Sequence, residues 1–222
     1  LFFRLFEAAK QQIKLLDIAP ELPGAIEFIQ EISKICTISL GHTTAGYDLA
    51  CTALQAGANH ITHLFNAMPE FEHRAPAVVG AAADCGAFVE LICDGIHIHP
   101  SVVRTAFRSF GAERICLISD AMRACGLSDG KYSLGGQSVW VKKGRAFLTN
   151  GTIAGSVTSL YSGVCRACSF GIPLSDAIYS ATLTPARCVG MDREIGSLLP
   201  NKRADLVLLN RDLSIRAVVV GG

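Results

Sequence analysis

The sequence has no long uninterrupted apolar run. Its most hydrophobic region, residues 77–93, is broken by Asp84 and Glu90, so no segment supplies the ~20 consecutive apolar residues that a membrane-spanning helix needs. Charge of one sign is also missing: 20 Lys and Arg stand against 19 Asp and Glu, a net of +1. Without a basic stripe there is no reason to expect nucleic acid or an anionic membrane surface as a partner. The opening Leu1-Phe2-Phe3-Arg4-Leu5-Phe6 is too short for a signal peptide and has no cleavage site. No GxGxxG fingerprint occurs, which argues against a nucleotide-binding open sheet. Cysteine, by contrast, is not scarce. Nine are scattered along the chain, with Cys93 and Cys116 inside apparent core strands, and the one CxxC (Cys165 to Cys168) lies in a helical stretch with no partner pair. This is a pattern of reduced, buried thiols, and the expected compartment is the cytoplasm.

What the chain does have is one plan used repeatedly. Val89-Glu90-Leu91-Ile92-Cys93 stops abruptly at Asp94-Gly95-Ile96-His97-Ile98-His99, and Pro100 then opens a helix. Thr37 to Leu40 runs into Gly41-His42, His60-Ile61-Thr62 into His63, and Ile115 to Ile118 into Ser119-Asp120. Buried parallel strands are apolar throughout and turn polar at their carboxyl ends, where ligands of α/β folds bind. Strand ends fall near residues 21, 42, 63, 94 and 120, with helices between them: residues 2–12, 25–34 and 47–56, the last with capping hydroxyls from Thr43 and Thr44. Repeated β-α units with polar strand ends predict a TIM-type (β/α)8 barrel. Five of its eight strands can be counted, and the chain opens in mid-pattern, so roughly three are expected before Leu1.

After Asp120 the pattern changes. Residues 131–148 read as a hairpin insertion around Val139-Trp140-Val141, Gly151 to Ser156 as a flexible loop, and Leu160 to Cys168 and Leu174 to Leu183 as helices. The tail carries two strand-like runs, 204–209 and 215–220, too few to bury a face alone. The expected organisation is α/β: a partial barrel over 1–192 and, over 193–222, strands of a small accessory β-sandwich.

His42 and His63, each just past a buried strand and 21 residues apart, would be set side by side by one helical crossover. Two neutral imidazoles converging on a point suit Zn, Fe, Co or Ni. Asp120 either caps the turn that follows it or acts as a general acid/base. His97 is placed to donate to a substrate oxygen, with Gly95 allowing close backbone approach. His99 alternates away from it if the segment is extended, and reads as structural, as do His60 and His73. Arg74, in the polar loop 70–74, is either a solvated charge or a phosphate fork.

These residues also carry a resemblance. SLGHTTA (39–45), THLFNAM (62–68), Arg74, ELICDGIHIHP (90–100), ISDAM (118–122), GTIAGS (151–156), ATLTPAR (181–187) and GSLLPNKRADLVLL (196–209) together resemble the N-acetylglucosamine-6-phosphate deacetylases of the amidohydrolase superfamily. The likeness covers about the last three-fifths of such an enzyme, and the HLEGP-type segment whose Glu ligates metal in that family does not occur in these residues. It implies metal-assisted amide hydrolysis that releases acetate from a 6-phosphorylated amino sugar in amino-sugar catabolism. By position, His42 and His63 would be ligands of a divalent metal, zinc first, and Asp120 the catalytic acid/base. Asn66, Ala67 and Arg74 would meet the sugar phosphate, with Arg74 reaching across a homodimer. Asp94, Gly95, Ile96 and His97 would line the sugar pocket, and Ile153, Ala154 and Gly155 would form a loop over the substrate. Another deacylase of the superfamily, or a non-catalytic sugar-phosphate binder, are the competing readings.

Overall fold

The computed structural model describes residues 1–222 and divides into two compact units, Leu1–Glu90 with Ala186–Asp192, and Leu91–Pro185 with Arg193–Gly222. No helix is long and apolar enough to cross a membrane.

The first unit alternates helix and strand: α1 (Phe2–Ala8), β1 (Leu15–Ile18), α2 (Ala25–Ile32), β2 (Thr37–Leu40), α3 (Tyr47–Gln55), β3 (His60–Ile61), α4 (Ala77–Asp84) and the start of β4 (Phe88–Ile92). β1 pairs parallel with β2, β2 with β3 and β3 with β4. The register pairs Ser39 with His60 and Leu40 with Ile61. Ile38, Ser39 and Leu40 are all fully buried, as expected for a parallel strand covered on both faces. α2 buries Ala25, Ile29 and Ile32, spaced four and three apart, which is one face of a helix. α1 is shorter than its apolar pattern predicts. It stops at Ala8 because Lys10 and Gln11 turn left-handed, at φ 50° and 60°.

The second unit continues from β4 through α5 (Pro100–Phe110) to β5 (Ile115–Ile118), completing a five-stranded sheet in the order β1-β2-β3-β4-β5. α5 is defined at both ends by local chemistry. Pro100 occupies its first turn, the His99 side chain accepts from the Ser101 N–H at 3.2 Å, and Gly111 leaves at φ 72°. Its buried face is Val103, Ala106 and Phe110.

The expected hairpin is a three-stranded antiparallel sheet: β6 (Gly130–Leu134), β7 (Gln137–Lys142) and β8 (Arg145–Leu148). Val139, Val141 and Ala146 form its inner face with Met122, Ala124 and Ala154. α6 (Leu160–Ser169) and α7 (Leu174–Ala181) follow. The single helix predicted up to Leu183 breaks at Thr182, φ −130°, and a short α8 (Leu183–Cys188) begins, because Pro185 has no N–H to send back to Ala181. The hydroxyls of Ser180 and Thr184 both donate to the Ala112 carbonyl, at 3.2 and 2.8 Å. β9 (Leu206–Leu209) and β10 (Ile215–Val219) pair with each other, antiparallel, with an irregularity between Ile215 and Ala217.

Candidate metal-ligand pair and substrate-binding residues

β2 and β3 deliver their histidines by the same step. Three residues beyond the paired positions Ser39 and His60 lie His42 and His63, and their Nε2 atoms stand 2.9 Å apart with the rings edge-on at 77°. Both leave their strands in the left-handed region, φ 48° and 31°, and Asp120 at the end of β5 does the same at φ 47°. For residues other than glycine this conformation costs roughly 1–3 kcal/mol each and persists only where surroundings over-determine it. Three of the residues singled out by sequence are therefore held in strained backbone. Gly41 precedes His42 because no side chain fits: a Cβ there would lie 2.7 Å from Thr62 Cβ.

Thr43 and Thr44 do not cap α3, whose N-cap is Gly46. They turn instead to Glu21, whose carboxylate accepts from the Thr44 N–H at 2.7 Å, from Thr44 Oγ1 at 3.1 Å and from Thr43 Oγ1. Burial pushes the Glu21 carboxyl up, but these hydrogen bonds outweigh it and hold it below the ordinary carboxylate range. The turn after His63 is bound just as tightly. Asn66 Nδ2 donates to the His63 and Leu64 carbonyls at 3.2 and 3.1 Å, and Thr43 N–H donates to the Ala67 carbonyl at 3.1 Å. Asn66 thus shapes its own loop, Ala67 is left-handed at φ 49°, and Arg74 is exposed on the segment beyond.

Beneath the histidines runs a polar chain that sequence reasoning missed, buried at His60, Ser39 and Thr62 and ending on the exposed Asp17. Thr62 Oγ1 donates to Asp17 Oδ1 at 2.7 Å, Ser39 Oγ lies 2.6 Å from Thr62 Oγ1, and His60 Nδ1 lies 2.9 Å from Ser39 Oγ. A carboxylate at Asp17 only accepts, so Thr62 is spent as a donor, Ser39 must donate to it, and His60 must donate from Nδ1 to Ser39. His60 Nε2 then faces Glu90 at 3.9 Å. Burial works against charge on His60, yet Cys188, Glu90 and Asp17 around it raise its pKa on balance. Burial also raises that of Glu90. His60 is the first residue of β3 and is fully buried.

In the second unit Asp94 organises its own turn. Its Oδ1 accepts from the Ile96 and His97 N–H groups at 2.8 and 2.9 Å, and its Oδ2 lies 2.7 Å from His97 Nδ1. Burial pushes the Asp94 carboxyl up, but His97 and the two N–H groups outweigh it and hold it below its ordinary value. The imidazole is thereby fixed with Nδ1–H toward Asp94 and Nε2 directed away. The segment is bent, not extended, so alternation does not separate His97 from His99; His99 is structural because it caps α5. Gly95 is required by its φ of 69°, and Phe170 stands 3.0 Å from where a Cβ would sit.

Asp120 is exposed at its strand end, and Ser119 Oγ accepts from the Ala121 N–H at 3.4 Å. Its carbonyl accepts from Ser156 N–H at 2.8 Å, and the Ser156 carbonyl accepts from Met122 N–H at 2.8 Å. The segment expected as a flexible loop is thus tied into the sheet. Ile153 bridges to Phe147, Ala154 is buried and donates to the Ala146 carbonyl at 3.1 Å, and Gly155 turns at φ 65°.

A divalent ion suits the His42–His63 pair. Two nitrogens bound at ~2.0–2.1 Å in a tetrahedral shell stand about 3.3 Å apart, so the pair would have to open by only a few tenths of an ångström. It would fill two ligand positions.

The amidohydrolase family profile matches residues 19–222. The chain is 39% identical over 225 residues to the N-acetylglucosamine-6-phosphate deacetylase of Bacillus subtilis (strain 168), covering 100% of this chain and 57% of that protein. It is 35% identical to the N-acetylgalactosamine-6-phosphate deacetylase of Escherichia coli O157:H7, covering 99% and 59%. Among solved structures, a point mutant of N-acetyl-D-glucosamine-6-phosphate deacetylase from Mycobacterium smegmatis, in complex with N-acetyl-D-glucosamine-6-phosphate, superposes with a TM-score of 0.94 at 37% identity, covering 100% of this chain and 60% of that one. The chain therefore spans about three-fifths of the length of the relatives it matches. On the profile match across nearly its whole length, the chain belongs to the amidohydrolase family.

Proposed function

We propose that the protein removes acetate from N-acetylglucosamine 6-phosphate in amino-sugar catabolism, in the cytoplasm, giving glucosamine 6-phosphate. The observation that carries this reading is the convergence of His42 and His63 Nε2, taken with relatives of 35–39% identity named for such deacetylation. In this reading residues 1–192 are the hydrolase domain and 193–222 belong to a small β domain.

His42 and His63 hold the metal, zinc by preference since imidazole pairs suit it. When bound, it polarises the acetyl carbonyl and makes the attacking water more acidic. Asp120 takes a proton from that water as its oxygen bonds the carbonyl carbon, and returns a proton to the nitrogen as the C–N bond breaks, so acetate and a free amine leave. Arg74, with Asn66 and Ala67, receives the 6-phosphate; a guanidinium pairs with phosphate oxygens in a bidentate fork, and its exposed position suits reach into a second subunit of a homodimer. The Asp94–His97 pair, with Gly95 and Ile96, presents a fixed Nε2 to the sugar, and Ile153–Gly155 covers it.

The relative named for N-acetylgalactosamine 6-phosphate gives a second reading, the C4 epimer as substrate. Acetate release by the zinc-loaded intact protein, measured on both phosphosugars and on unphosphorylated N-acetylglucosamine, separates them. D120N should lower kcat by about 10²–10⁴ on the true substrate. No release from any phosphosugar by a metal-loaded sample would sink the reading and leave a non-catalytic binder. Equal turnover of the unphosphorylated sugar would point to another deacylase.

A further inference from the structure

Glu90 stands in β4 directly beside the turn that carries His63. Its side-chain Oε2 accepts from the His63 N–H at 3.2 Å, and its main-chain carbonyl accepts from the Leu64 N–H at 2.8 Å. One residue therefore grips two successive N–H groups of a turn in which His63, Phe65 and Ala67 all have positive φ, 31°, 74° and 49°. A turn so strained keeps its shape only while its backbone groups are held from outside. Asn66 and Thr43 hold its carbonyls; Glu90 holds its amides. The His63 amide precedes the very φ that aims the imidazole at His42. We propose that Glu90 is a positioning residue for His63, fixing the backbone turn that brings its Nε2 to His42 and so setting the metal affinity of the pair. This rests on the metal-binding reading above.

Glu90 has another neighbour, His60, at 3.9 Å and without a hydrogen bond between them. The two possible roles make opposite demands on a substitution. If the carboxylate serves as an acceptor for the His63 N–H, glutamine keeps the role through its amide oxygen. If it serves as a charge facing His60, glutamine loses it as completely as leucine does.

The test is equilibrium zinc affinity of the intact protein, measured by competition with a chromophoric chelator, for the parent, E90Q, E90L and H63A. E90L should bind zinc about 10–100-fold more weakly than the parent and E90Q within about threefold of it, as expected where an outer group orients a ligand. E90L binding as tightly as the parent overturns the proposal. So does E90Q falling as far as E90L, or H63A binding as well as the parent, since there would then be nothing to position. If E90L does not fold, the parent decides the matter by NMR: a scalar coupling across the hydrogen bond from the His63 amide nitrogen to the Glu90 carboxyl carbon is expected, and its absence overturns the proposal. A parent that binds zinc at His63 but releases no acetate would sink the deacetylase reading alone and leave the affinity comparison to stand or fall by itself.

Discussion

Glu21 Oε1 accepts the Thr44 N–H at 2.7 Å across 23 residues of sequence, so the segment that follows His42 is anchored to the end of the neighbouring strand β1. Glu21 is in this sense a cap for a loop rather than for a helix. E21A removes an ionised acceptor from three donors. It should cost about 1–3 kcal/mol in denaturant unfolding, with E21D failing to restore it because the shorter side chain cannot reach both threonines. An unchanged midpoint would mean the loop holds itself.

At Gly41 the expected penalty is steric. G41A places a methyl group 2.7 Å from Thr62 Cβ, a backbone-borne atom that cannot rotate away. Strands β2 and β3 must part locally, and overpacking of this kind costs about 1–3 kcal/mol. Thermal unfolding of G41A beside the parent checks it; an equal Tm would show that the two strands are not so closely apposed.

Asp94 makes a pH-dependent contribution. Its folded pKa lies below its unfolded one, near about 4, so its stabilisation is complete above that value and is lost as pH falls through the folded value. D94N should be less stable than the parent at neutral pH, and the difference should shrink progressively below about pH 4. Urea midpoints taken between neutral and acid pH would reveal this; a constant difference at all pH values would show that Asp94 does not titrate as the geometry requires.

Zinc should stabilise the protein through the histidine pair. At a hundredfold excess over Kd the gain is about 2.7 kcal/mol, or roughly 5–10 °C in Tm for a chain of this size. H42A and H63A should each abolish most of that shift, and a chelator should reverse it in the parent. Full shifts in both variants would place the metal elsewhere.

Arg74 is expected to select for phosphate. R74A should raise KM for the phosphorylated sugar about tenfold or more, as loss of a bidentate charged contact does, and leave the unphosphorylated sugar almost unaffected. Equal losses for both sugars would remove Arg74 from phosphate recognition.

The repeating strand ends were legible because an apolar run that stops at His or Asp is a local pattern. His42 and His63 could be paired from it because one crossover joins adjacent strands. The polar residues beneath them were not legible in the same way. Ser39, Thr62 and Asp17 lie in three separate stretches of sequence, and only the pairing of their strands brings them into one hydrogen-bonded chain. Glu90 looked like a break in a hydrophobic run for the same reason. Thr43 and Thr44 were misread as caps because a local rule could not weigh Glu21, more than twenty residues away. Gly151 to Ser156 looked flexible from its glycines, but its partners, Ala146 and Asp120, are distant in sequence.

The equal three-residue steps from Ser39 to His42 and from His60 to His63 constrain length as well as identity. The connection around Ala56 to Asn59 is itself held: the Asn59 N–H donates to the Ile38 carbonyl and its carbonyl accepts from the Phe88 N–H, so an added or deleted residue there is felt in the strand pairing. Between His60 and His63, one inserted residue would carry the imidazole away from His42, with every ligand atom still encoded. Substitutions can therefore accumulate at exposed positions of the helical crossover, such as Thr52 and Gln55, while its two ends stay tied to Glu21 and to the strand ladder. The two strand tails must keep their residue count for as long as the pair is used.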